Sequence, residues 1–445
     1  MSFYSVLQRI LPSVKDPVKV PPVKKKLIWT GIVLVLFFIL GTIPLLGLSP
    51  AALQQLTFYQ MVTASNIGTL ISLGIGPIVL ASIILQLLVG VKIINLNFSN
   101  TEDRAKFSLL QKFCAIILSI VEAIVMVTIG WLQPLPGMWF PLVLQVTFGS
   151  IILLYLDEVV SKYGIGSGIG LFIAAGVSQE ILWRIFAIPS ATYGGGLLFT
   201  GINYLKAGEM ISFLSQVLLP IAITIGLFFL IVYLEGVHVN IPLTIGRSGM
   251  GAKYPVKLLY VSNMPVILTT TLFANIGMFA QLAKTGKIAE IMGAVSKVIT
   301  PQYNLIQNTI LGSATGTMWL YALIYMVLFV GLCVIFGKFW IQVGGQGPEN
   351  VAKQLQSSGM SIPGFRRDER VLTSVLQRYI PVITVLGSIF VGLLAFASDL
   401  VGAIGGGIGI LLTVGIIYRL YEQLAREQVF ESSSFLKKFV GKGGQ

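Results

Sequence analysis

The segment from Leu48 to Gly90 constrains this chain more than any other, because it is hydrophobic overall yet does not read as a simple transmembrane helix. From Ser49 to Asn66 it is only half apolar, with Gln54, Gln55, Gln60, Thr63 and Ser65, whereas Gly68 to Gly90 is predominantly apolar. A polar stretch at membrane depth is stable only where protein encloses it or water reaches it, since lipid offers no hydrogen-bond partner. Other helices must therefore surround 49–66, and the space they enclose reads as a pore that this segment stoppers.

Enough apolar sequence exists to build that enclosure. With 55% apolar and 11% charged residues, the chain has the composition of a polytopic membrane protein. Ten stretches approach the length of about 20 residues that a bilayer requires. They are Leu27–Leu48, Gly68–Gly90, Phe113–Leu132, Phe140–Tyr155, Gly166–Ile188, Val217–Leu234, Leu258–Leu282, Trp319–Trp340, Ile380–Phe396 and Ile404–Tyr421. The first is too long for a signal-peptide core and lacks a cleavage site.

Orientation follows from the basic residues. With the N-terminus inside, 25 of the 30 Lys and Arg fall on the inner side, and only Arg184, Lys206, Lys284, Lys287 and Lys297 fall outside. The positive-inside rule then puts both termini in the cytosol. The expected location is the plasma membrane, spanned many times, and the net charge of +13 is a property of its cytosolic face. Two long inner loops, Gly236 to Lys257 and Gly344 to Tyr379, carry much of that charge and read as protruding.

A weak internal repeat relates spans five apart. Pro77-Ile-Val-Leu-Ala-Ser82 in the second span parallels Pro265-Val-Ile-Leu-Thr-Thr270 in the seventh. Gly168-Ile-Gly-Leu-Phe-Ile173 in the fifth parallels Gly407-Ile-Gly-Ile-Leu-Leu412 in the tenth. Five is odd, so the second half would enter the membrane from the opposite side, about an axis in the membrane plane. The organisation read from this is an interfacial N-terminal segment (1–26), a first five-helix half (27–195, including the plug 49–66), a second half (196–422) and a cytosolic tail (423–445).

Catalytic and cofactor motifs are missing from the sequence. The glycine runs 164–170 and 405–409 match neither dinucleotide nor phosphate-loop spacing and suit close helix packing instead. There is no HExxH and no GxSxG, His238 sits alone at a helix end, and Cys114 and Cys333 lie inside apolar spans. No enzyme activity, cofactor or metal is expected. Glu122 alone among the acids lies well inside a span, which together with the broken second helix supports an alternative reading as an inverted-repeat secondary solute transporter.

Four runs carry a more specific message: GTLISLGIGPIV (68–79), YLDEVVSKYGIGSGIGLFIAAGVSQ (155–179), KYPVKLLYVSN (253–263) and GGGIGILLTVG (405–415). Through them the chain resembles the SecY family of protein-conducting channels, in its archaeal branch, along its whole length. The resemblance implies an all-α membrane protein with ten transmembrane helices in two inverted five-helix halves around a central pore. It also implies a channel subunit that passes secretory polypeptides across the membrane and releases transmembrane segments laterally into lipid.

By position, the resemblance puts an apolar pore ring at Ile75, Val79, Ile169, Ile173, Ile267 and Leu412, and polar lateral-gate residues at Glu122 and Asn275. A third gate position, usually hydroxylated, is Leu80 here. Ribosome-binding residues would be Arg247, Lys253, Lys257, Arg366, Arg367 and Arg370. Implied partners are a gamma-type (SecE) and a beta-type small membrane subunit, the translating ribosome, signal sequences and nascent polypeptides, and the lipid bilayer.

Overall fold

In the computed structural model a helix stands at each of the ten expected spans. The structure describes residues 7, 9, 11–19, 21–49, 60, 63–90, 93–94, 96, 100–189, 195–245, 250–261, 263–283, 286–357, 360–361 and 369–432. The spans are α1 (Val23–Leu40), α2 (Gly76–Gly90), α3 (Thr101–Thr128), α4 (Trp139–Tyr163), α5 (Gly168–Phe186), α7 (Met210–Gly236), α8 (Met264–Ala280), α11 (Gly316–Val343), α13 (Glu369–Val401) and α14 (Gly407–Ser432). Shorter helices α6 (Leu197–Ala207), α9 (Lys287–Ile299), α10 (Leu305–Ile310) and α12 (Pro348–Ser357) lie between them.

Seven of the ten are long and apolar enough to cross a membrane unaided. The others have evident reasons to fall short. α2 and α8 have only 15 and 17 residues, and α1 opens on Lys24, Lys25 and Lys26.

Several expected boundaries are corrected. The apolar run from Gly68 does not continue as one helix, because Gly68 and Gly74 adopt left-handed φ values of 94° and 56°, which break the helical ladder before Gly76. A Cβ on Gly74 would collide with the Thr63 carbonyl, so this turn is reserved for glycine. The expected loop Asp157 to Gly164 is helical up to Tyr163, and α14 runs about three turns past Tyr421.

Contacts divide the chain into two compact units. Unit 1 comprises Met1–Pro77, Ile116–Gln179 and Leu412–Gln445. Within it, Phe37 of α1 stacks on Phe172 of α5 with centroids 5.0 Å apart, Ser119 of α3 bonds Ser150 of α4 at 3.0 Å, and Lys26 pairs with Glu427 at 2.8 Å. Glycines permit the closest approaches. A Cβ on Gly149 would strike the Leu70 carbonyl, and one on Gly166 would lie 2.6 Å from Leu420. The segment preceding α1 is tied to α4, with the Val14 N–H donating to Glu158 at 3.1 Å and Lys162 pairing with Asp16 at 3.0 Å.

Unit 2 comprises Ile78–Ala115 and Glu180–Leu411. The two inner loops meet here in an antiparallel sheet of order β2-β1-β3, formed by β1 (His238–Ile245), β2 (Met250–Lys257) and β3 (Met360–Ser361). Its core joins Ile241 and Val256 to Ile341 of α11, Val351, Ala352 and Leu355 of α12, and Leu372, Leu376 and Ile380 of α13. Thus the two loops expected to protrude share one folded base. Deeper in the unit, Tyr325 stacks on Phe329 at 5.4 Å, and Cys333 meets Thr269 at 3.5 Å.

Candidate functional site

Five of the six expected ring residues are sealed from solvent: Ile75 and Ile173 at 0%, Leu412 at 1%, Val79 and Ile267 at 3% exposure. Ile169 is half-buried. In unit 1, Ile169 and Ile173 lie one turn apart on α5, and Leu412 lies on α14. The two helices touch in this unit where Gly170 faces Ile416, at a distance of 3.5 Å from an added Cβ. In unit 2, Val79 lies on α2 and Ile267 on α8, two residues after Pro265.

Both helices that carry the repeated Gly-Ile-Gly begin on a carboxylate. Asp157 Oδ1 accepts the backbone N–H of Ile169 at 2.9 Å, at the start of α5. In unit 2, Asp399 Oδ1 accepts the N–H of Gly407 at 2.7 Å and of Ile408 at 3.4 Å, at the start of α14. A helix N-terminus leaves four N–H groups without intrahelical partners, and a carboxylate answers both that need and the helix dipole. The glycines let the carboxylates in, since a Cβ on Gly168 would lie 2.6 Å from Asp157 Cα and one on Gly407 2.7 Å from the Asp399 N. Sequence reading missed both acids. The available signal was an Asp followed, eight or eleven residues later, by the same Gly-Ile-Gly.

The far end of the expected stopper is anchored in unit 1, while 50–59 and 61–62 lie outside the described residues. Thr63 is fully buried and its carbonyl accepts the Ile75 N–H at 2.7 Å, tying an expected ring residue directly to the expected stopper. Ala64 sits 3.6 Å from where a Cβ on Gly176 would be, one turn beyond Ile173 on α5.

The expected gate residues are buried polar groups in apolar helices. Glu122 of α3 is 0% exposed, and neither carboxylate oxygen has a hydrogen-bond partner among the described residues. Asn275 of α8 donates to the Thr271 carbonyl at 2.9 Å, while its own carbonyl oxygen has no hydrogen-bond partner among the described residues. Leu80 is buried and offers no hydroxyl. Gln86, six residues further along α2, is 1% exposed and donates to Ser82 at 2.8 Å; it was not singled out from sequence.

Of the expected docking residues, Arg247, Arg366 and Arg367 lie outside the described residues, as does the side chain of Lys253. Lys257 ends β2 opposite His238, and Arg370 is exposed at the start of α13. Ile245 pairs with Met250 on one side and Met360 on the other, and Thr244 pairs with Ser361, so β3 enters at the end of the sheet where 246–249 leave and runs antiparallel to β1 away from it. Burial pushes the Tyr254 and Tyr260 phenols up, so neither adds negative charge beside these cations.

Among the described residues no group of His, Cys, Asp and Glu is arranged to hold a metal ion. Long apolar helices, buried apolar side chains and close packing through glycines define a membrane-embedded channel. Residues 69–421 match the SecY family and residues 35–68 the Plug domain of Sec61p. The protein translocase subunit SecY of Methanothermobacter thermautotrophicus is 45% identical, with 98% of each chain covered. A solved structure described as that of a protein conducting channel superposes with a TM-score of 0.82 at 44% identity, covering 97% of this chain and 98% of that one. Sec61 in the canine ribosome-channel complex from the endoplasmic reticulum gives 0.79 at 43% identity, with the same coverage. The chain belongs to the SecY family, as the pore-forming subunit of a protein translocation channel.

Proposed function

We propose that Ile75, Val79, Ile169, Ile173, Ile267 and Leu412 form the constriction through which a secretory polypeptide passes, and that 49–66 closes it at rest. A ring without polar side chains gives water and ions no partner, so it dewets and resists leakage when idle. Bulky aliphatic side chains part for an extended chain by rotamer motion. The observation that carries this reading is the burial of five of these six apolar side chains to 3% or less.

Glu122 and Asn275 serve as polar groups of a lateral gate, through which transmembrane segments pass into lipid. There a Leu or Ile side chain gains roughly 0.3–0.6 kcal/mol on the insertion scale. The basic residues Arg247, Lys253, Lys257, Arg366, Arg367 and Arg370 face the cytosol and contact ribosomal RNA, with both termini on the same side of the plasma membrane. The Sec61 relative solved in a ribosome-channel complex supports this partner. A gamma-type (SecE) and a beta-type subunit complete the complex. The test is a secretory chain stalled on a ribosome, with photocrosslinkers at Val79 and Ile267. Adducts dependent on a functional signal sequence support the pathway, whereas none at either position in an engaged complex overturns it.

A further inference from the structure

Helix α9 joins the ends of α8 and α11 that lie away from the β1–β2 hairpin and rests against both. Its apolar residues Ile288, Ile291, Met292 and Val295 follow an i, i+3, i+4, i+7 pattern and therefore form one stripe. That stripe is 66, 61, 38 and 38% exposed, respectively. Glu290, Gly293 and Lys297 occupy the opposite side, Lys287 flanks the stripe, and only Ile299 at the C-terminal end is buried.

The neighbouring surface identifies what covers the stripe. α8 has 17 residues, so α9 lies about 25 Å along that span from the hairpin side, close to the thickness of a hydrocarbon core. Leu320 and Leu323 on α11, a helix that α9 contacts, are 57 and 54% exposed, as expected of a lipid-facing span. Trp319, in the first turn of α11, is 39% exposed, and tryptophan concentrates where headgroups meet acyl chains. An apolar stripe with a polar back and lysines near both ends is the composition of a helix that lies in an interface.

We propose that α9 lies in the plane of the bilayer interface on the side away from the hairpin, with Ile288, Ile291, Met292 and Val295 among the upper acyl chains and Lys287 and Lys297 at lipid phosphates. Because α9 bridges α8 and α11, the lipid surface restrains both spans. This assignment is independent of the ring, gate and docking roles.

The test is probe depth in the full chain reconstituted into phosphatidylcholine vesicles containing phosphatidylglycerol. Cys333 is fully buried, so replacing Cys114 by Ala leaves a background in which an introduced surface cysteine takes the fluorophore. Ile291→Cys and Val295→Cys should be quenched several-fold more than Glu290→Cys by lipids brominated near the top of the acyl chain, and less by aqueous iodide. Equal iodide quenching at 291 and 290 would place the stripe in water and overturn the proposal. Protection from both quenchers at 291 would place it against protein and overturn it equally.

Discussion

Asp157 Oδ1 accepts the backbone N–H of Ile169 at 2.9 Å, so the first residue of the proposed constriction on α5 is held by a carboxylate on α4. The tenth span repeats the arrangement with Asp399 and Gly407 at 2.7 Å. A cap of this kind contributes about 0.5–2 kcal/mol, little beside a whole membrane protein but enough to fix where a helix begins.

Replacing either acid by Ala should lower the thermal unfolding temperature modestly and raise idle ion leak, because α5 or α14 can fray at the end that positions its ring residues. Asp157→Asn and Asp399→Asn keep an acceptor and should restore most of both properties. Unfolding curves of purified protein and bilayer conductance check this. Equal behaviour of the Ala and Asn variants would remove the caps from ring positioning.

The stopper makes its described contact on α5 at Gly176. An added Cβ there meets Ala64 at 3.6 Å, an ordinary contact, so Gly176→Ala should be tolerated, whereas Gly176→Leu should push the segment away and raise leak. Deleting 49–66 should raise leak further while translocation of a secretory substrate largely persists. Unchanged conductance in both variants would show that the segment is not the seal.

Much of this was legible in the sequence, and the reasons differ by element. The spans could be read because lipid demands long apolar runs. Their ends could not, since helices such as α13 and α14 continue into water where hydropathy gives no signal. The hairpin went unread because Gly246, Gly249 and Gly251 dominate the loop composition, and β1 and β2 gain their stability from a distant partner, the α12–α13 base. The ring residues came from family resemblance and the repeat. Asp157 escaped because it was placed in a loop, although it stands in the last turns of α4 with its acceptor aimed at the next helix.

Cations on two loops that share one folded base should act together. Arg366→Glu and Lys253→Glu should each weaken ribosome binding and flatten its dependence on salt, because a lost phosphate contact releases fewer counterions. Arg370→Glu, at an exposed position, should do the same more weakly. Binding measured across a salt series decides, and an unaltered slope would assign these charges to topology or lipid.

The central claim is that buried apolar side chains form the seal, and Ile173 tests it most directly because it is 0% exposed on a helix that also carries Ile169. An amide offers two donors and an acceptor where isoleucine offers none, so Ile173→Asn should wet the constriction. Single-channel recording of this variant, beside a control substitution at the exposed Leu182, should show frequent openings in the absence of substrate for Ile173→Asn alone. A folded Ile173→Asn channel that stays closed and as tight as the parent would contradict the account.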